Sequence, residues 1–93
     1  MTLLEIFQNK SQFATRKVGN EMVLVPLKNN IANMNKMFTL NDVACFIWES
    51  INGKSTKKDI LTSIIEAFEI NLETAESDYD EFIESVSKMI LEK

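Results

Sequence analysis

The chain contains no histidine, one cysteine (Cys45), one proline (Pro26) and two glycines, Gly19 and Gly53. Each scarcity removes a class of chemistry. Without histidine, the commonest general base and metal ligand is gone. A lone cysteine forms no internal disulfide, which points to a reducing compartment. Cys45 also lacks the histidine partner that would activate it as a nucleophile. Two isolated glycines cannot build a glycine-rich phosphate loop. No apolar run approaches the ~20 residues that a membrane-spanning helix needs. The N-terminal MTLLEIFQNK has no basic n-region, and Glu5 interrupts its apolar run, so it does not read as a signal peptide. These features predict a cytoplasmic protein with no catalytic, metal or cofactor site.

Positive charge is missing where it would matter for nucleic acid. Between Asp59 and Val86 there are nine acidic residues and no basic one, within a net charge of −4. Binding to phosphates needs a clustered basic face. The helices that would enter a groove are instead acidic, either as a solvated face or as a surface that attracts basic peptides. The carboxylates Asp80 and Glu84 lie at i, i+4 on the exposed face of a helix with no apolar pocket beside them. They read as solvated charges, not as a catalytic dyad.

What is present is an ordinary globular composition, 45% hydrophobic and 26% charged over 93 residues. That length fits one small domain, residues 1–93, of modest stability. Residues 1–12 are weakly patterned and read as a loose lead-in. Phe13 to Val18 and Met22 to Val25 read as strands joined at Gly19-Asn20, the second ended by Pro26. Residues 27–36, with four asparagines, read as a loop. Lys36 to Leu40 reads as a third strand.

Three helices follow. Asn41 caps the first, whose apolar face is Val43, Ala44, Ile47, Trp48 and Ile51, with Gly53 as its left-handed stop. Thr56 caps the second, and Asp59 reaches back to complete a capping box. The third starts near Asn71 and runs to about Leu91, with Tyr79, Phe82, Val86 and Met89 in its apolar stripe. The expected fold is therefore α+β: a small three-stranded antiparallel sheet followed by three helices, with a winged helix-turn-helix outline.

A three-stranded sheet has two open edges, and an open edge invites an added strand. Ordering each residue of a peptide costs ~1–2 kcal/mol, while a backbone hydrogen bond returns about 1 kcal/mol net. Strand pairing therefore only breaks even, and apolar anchors worth ~1.5–3 kcal/mol each must supply affinity. The groove between the third strand (Met37, Phe38, Thr39) and the third helix (Phe82, Val86, Met89) is the candidate peptide-binding site. The same edge offers a route to a homodimer.

The order and spacing of these features are similar to a known family. The motifs are Phe13-x-x-Arg16-x-Val18, Val23-Leu24-Val25-Pro26 and Met37-Phe38-Thr39-Leu40-Asn41, then Ala44, Ile47-Trp48, Gly53, Thr56 and Ile60. Phe68, Glu73-Thr74-Ala75, Asp78 and Phe82-Ile83 complete the pattern. Over about residues 13–91 the chain resembles the PqqD-like proteins, the family of coenzyme PQQ synthesis protein D, whose fold is also called the RiPP peptide recognition element. The resemblance implies a non-enzymatic adaptor. Such an adaptor binds the leader of a ribosomally made precursor peptide as a strand beside the third strand and against the third helix. It then presents the peptide to a modifying enzyme such as a radical SAM protein, in the PQQ or another pathway of modified peptides. Carried over, the peptide-binding residues are Met37, Phe38, Thr39, Phe82, Val86 and Met89. Two alternatives are a winged-helix DNA-binding regulator, disfavoured by the acidic helices, and a docking domain without peptide binding.

Overall fold

Gly19 and Asn20 turn the chain between two strands, Gly19 at φ +63°, where glycine carries no steric cost. In this computed structural model, which describes residues 1–29 and 31–91, the strands are β1 (Phe13–Val18) and β2 (Glu21–Lys28). They pair antiparallel from Val18 opposite Glu21 to Phe13 opposite Pro26.

Pro26 does not end β2, contrary to the expectation from its missing N–H. It sits opposite the first residue of β1, and its carbonyl still accepts the Asn33 N–H at 2.9 Å. The strand runs on to Lys28, and Leu27 and Lys28 pair with a short strand β3 (Ile31–Ala32). Asn29 makes the reversal possible at φ +53°, a region asparagine tolerates better than most residues. The expected 27–36 loop is therefore a small hairpin followed by a 3-10 turn at Met34–Lys36, which the Asn33 side chain caps through Asn35 N–H at 3.2 Å.

The expected third strand is shortened. Paired strand covers β4 (Phe38–Leu40), Lys36 belongs to the preceding turn, and Met37 is extended but unpaired. β4 lies antiparallel to β2, with Phe38 opposite Leu24 and Leu40 opposite Met22. β2 is thus the central strand, with β1 on one side and β3 and β4 on the other. Among the described residues the far edge of β4 has no partner.

The α-helices are α1 (Leu3–Asn9), α2 (Asp42–Ser50), α3 (Lys57–Phe68) and α4 (Leu72–Leu91). The caps at Asn41 and Thr56 fall where the sequence places them, and Asn71, near which the third helix is expected to start, caps as well. Asn41 accepts from Ala44 N–H at 2.8 Å, and Thr56 exchanges bonds with Asp59 in a full capping box. Asn71 accepts from Thr74 N–H at 2.8 Å. The architecture is α+β, with the helices on the sheet face that carries Phe13, Leu24 and Leu40. The succession of α2, loop and α3 is compatible with a helix-turn-helix outline.

Residues 1–12 are not a loose lead-in. Thr2 and Glu5 form a capping box at the start of α1, and Ile6 is 0% exposed within the core. A seven-residue helix is unstable alone; burial of Ile6 holds it in place. Gly53 is likewise not the stop of α2. That helix ends at Ser50 with Ile51 extended, and Gly53 lies in the loop at φ +83°. The stop is supplied by Lys10, whose Nζ donates to the carbonyls of Trp48 (2.8 Å) and Ile51 (2.9 Å). A cation there also complements the negative end of the helix dipole. Burial pushes the pKa of Lys10 down, and the Glu49 carboxylate acts in the opposite direction.

Gly53 has a different task. A Cβ at this position would lie 2.9 Å from Cε2 of Phe7, so the ring of α1 rests on the glycine. Gly53→Ala should cost about 1–2 kcal/mol from the left-handed backbone, more if Phe7 cannot move aside. Chemical denaturation reads this directly, and an unchanged midpoint would mean that residue 53 is not held in the left-handed region.

Candidate functional site

Alternation along β4 sets the site. Phe38 and Leu40 point toward the helices, half-buried and buried, while Thr39 points away and is exposed. The Phe38 ring meets Phe82 of α4 with centroids 6.5 Å apart. Phe82 meets Trp48 at 6.5 Å, and Trp48 meets Phe13 at 6.1 Å, both near edge-to-face. An aromatic row therefore runs from the open edge of β4 through α4 and α2 to β1. Offset and edge-on contacts of this kind add to simple burial and stiffen the wall.

Two hollows flank Phe38, which lines both. One, of about 230 Å³, lies between Phe38, Thr39 and Asn41 on one side and Asp78, Glu81, Phe82 and Ser85 of α4 on the other. The second, of about 750 Å³, is bounded by Pro26, Leu27, Lys28, Lys36, Met37 and Met89, with Gln12 and Asn33 at its margin. Together they form a groove that starts between β4 and α4 and continues past Met37 and Met89 to Pro26, Leu27 and Lys28 of β2. Asn41 and Asp78 lie at one end, Met37 and Met89 at the other, so β4 and α4 run in opposite directions.

The six residues expected to form the site are divided by depth. Met37, Phe38, Thr39 and Met89 border the groove with accessible surface. Phe82 borders it too but is only 4% exposed and serves as its floor. Val86 is 0% exposed, belongs to the core and borders neither hollow. A helical stripe wide enough to touch both core and groove does not reveal from spacing which positions lie at its centre.

Sequence reasoning missed the polar wall. Asp78, Glu81, Ser85 and Met89 recur at i, i+3, i+7 and i+11 on α4, the face that Phe82 shares, so the periodicity carried the signal. Lys28 and Lys36, which bracket the asparagine-rich stretch, are brought to the groove by the β2–β3 hairpin and the turn after it. Cys45 is remote in function: partial burial, with the carboxylates of Glu49 and Asp42, pushes its thiol pKa up and disfavours the thiolate.

The fold and groove define a class: small α+β proteins in which a free strand edge faces a long helix. The family model of coenzyme PQQ synthesis protein D (PqqD) matches residues 21–88, and the chain belongs to that family. The match spans β2 to α4 and so includes nearly the whole groove, with α1 and β1 outside it. No curated protein and no solved structure matches the chain. Membership supports a role as a non-catalytic accessory protein of PQQ biosynthesis, alongside a precursor peptide and its modifying enzyme. No helix among the described residues is long and apolar enough to cross a membrane.

Proposed function

We propose that this protein is a non-enzymatic adaptor that binds the leader of a ribosomally made precursor peptide as a strand added to β4 and presents it to a modifying enzyme, such as a radical SAM protein. The observation that carries the reading is the edge of β4, unpaired among the described residues, beside the groove that opens between β4 and α4. An incoming strand satisfies its backbone on β4, and its inward side chains bury against Phe38, Met37 and Met89. Each well-buried apolar anchor contributes about 1.5–3 kcal/mol, which is what pairing alone lacks. The raised thiol pKa of Cys45 and the absence of histidine support a role without chemistry of its own. Lys57 at the start of α3 is engaged by Asp80 at 3.3 Å and lies 5.4 Å from the Tyr79 ring centre, which favours this reading over nucleic-acid binding.

The test is titration with the precursor leader, read by calorimetry and by amide hydrogen exchange. The double variant Met37→Ser, Met89→Ser should weaken binding about 10- to 100-fold while the fold persists. Phe38 to Leu40 amides should gain protection when the leader is added. Undiminished affinity in the variant would remove the groove from the mechanism. Unchanged exchange in β4 on binding would remove strand addition.

A further inference from the structure

The groove carries opposite charge at its two ends. Lys28 and Lys36 border the end at Met37 and Met89, while Asp78 and Glu81 border the end at Asn41. Among the described residues none of these four takes part in an ion pair, whereas other charges on the same helix do: Asp80 holds Lys57 at 3.3 Å, and Glu84 holds Lys88 at 3.7 Å. Two acids of α4 are therefore paired, while Asp78 and Glu81 beside the groove, like Glu73 and Glu76 away from it, carry open charge among the described residues.

The spacing sets what fits. From Asp78 to Met89, α4 rises about 16 Å at ~1.5 Å per residue. From Lys36 to Leu40, the five positions centred on Phe38, the chain covers at most about 13 Å at ~3.3 Å per residue. An added strand places every second side chain toward the groove, so positions i, i+2 and i+4 span that same ~13 Å. The middle position falls over Phe38.

We infer that the groove selects, within its peptide partner, an extended five-residue segment with an apolar residue at its centre, an acidic residue two positions to the Lys28–Lys36 side and a basic residue two positions to the Asp78–Glu81 side. This rests on the proposed strand addition at β4 and adds its sequence preference and register. The charges act as a ruler: a one-residue slip would turn the apolar anchor outward and move both ions away from their partners.

The experiment uses four synthetic peptides of about a dozen residues with one central leucine and otherwise identical small polar residues, titrated into the intact chain and followed by NMR chemical shifts. One carries Lys two positions before the leucine and Asp two positions after; the second reverses the two. The third has Gln at both positions, and the fourth has Lys at both. The expected result is that one charged order binds about 5- to 10-fold tighter than the reversed order and the neutral peptide at low salt. This advantage should shrink as the screening length falls from about 10 Å at 0.1 M to about 3 Å at 1 M salt. The double variant Lys28→Glu, Lys36→Glu should lose that advantage and bind the doubly basic peptide best. Both lysines are exposed and outside the core, so the fold is retained.

Equal binding of all four peptides to the native chain would overturn the charge ruler while leaving strand addition intact. No binding of any peptide, with β4 amides already protected in a dimer of the chain, would overturn both, since a second copy would then occupy the edge. Preference that survives in the lysine double variant would also overturn the assignment.

Discussion

Phe82→Ala is expected to destabilise the fold by about 3–5 kcal/mol, the range for emptying a buried aromatic site. Phe82 is 4% exposed and joins two aromatic contacts, to Phe38 on β4 and to Trp48 on α2. Removing the ring opens a cavity where three elements meet, and none of them can close it without leaving its own partners. A protein of this size has a total stability of order 5–15 kcal/mol, so the loss is a large fraction of the whole. Urea unfolding followed by circular dichroism measures it. A loss below about 1 kcal/mol would show that Phe82 is a groove-wall residue with room to move, as its place in the peptide site first suggests. The distinction bears on function. If Phe82 is the floor, its substitution weakens peptide binding by releasing Phe38 and lowering the folded fraction, whereas Met37 and Met89 act by direct contact.

The parts of the fold legible in the sequence are those decided locally. Asn41 and Thr56 are read as caps because a short polar side chain before an apolar periodic run satisfies the first free N–H groups within three residues. The Gly19-Asn20 turn is local in the same sense. The misses depend on distant partners. β3 is two residues long and exists because Leu27 and Lys28 extend past Pro26 to meet it. Gly53 resembles a helix stop, yet Lys10, 38 residues before Trp48 in the chain, satisfies the end of α2 instead. The site follows the same division. The free edge of β4 and the facing helix are visible from strand order and from the family pattern. The depth of Val86 and the open charges of Asp78 and Glu81 are not, because an acidic helix looks uniformly solvated until its neighbours are placed.

Ile6→Ala is expected to cost about 2–5 kcal/mol, whereas Leu4→Ala on the same short helix should change stability by no more than about 0.5 kcal/mol. Ile6 is 0% exposed and Leu4 is 54% exposed, so one turn of α1 contains both a core residue and a solvated one. A loose lead-in would make the two substitutions equally silent, and that result would detach α1 from the fold. The helix also packs against α4 and seats Phe7 over Gly53. Its loss therefore reaches the groove from behind, because α4 is the wall facing β4. In the Ile6→Ala variant, amide exchange should accelerate in α4 as well as in α1, since the two helices pack against each other and Ile6 belongs to the common core. The family match begins only at residue 21, after α1 and β1. The segment least marked by the family is thus expected to stabilise the wall on which the proposed site depends. Acceleration confined to α1, with α4 unchanged, would show instead that the groove keeps its shape without that support.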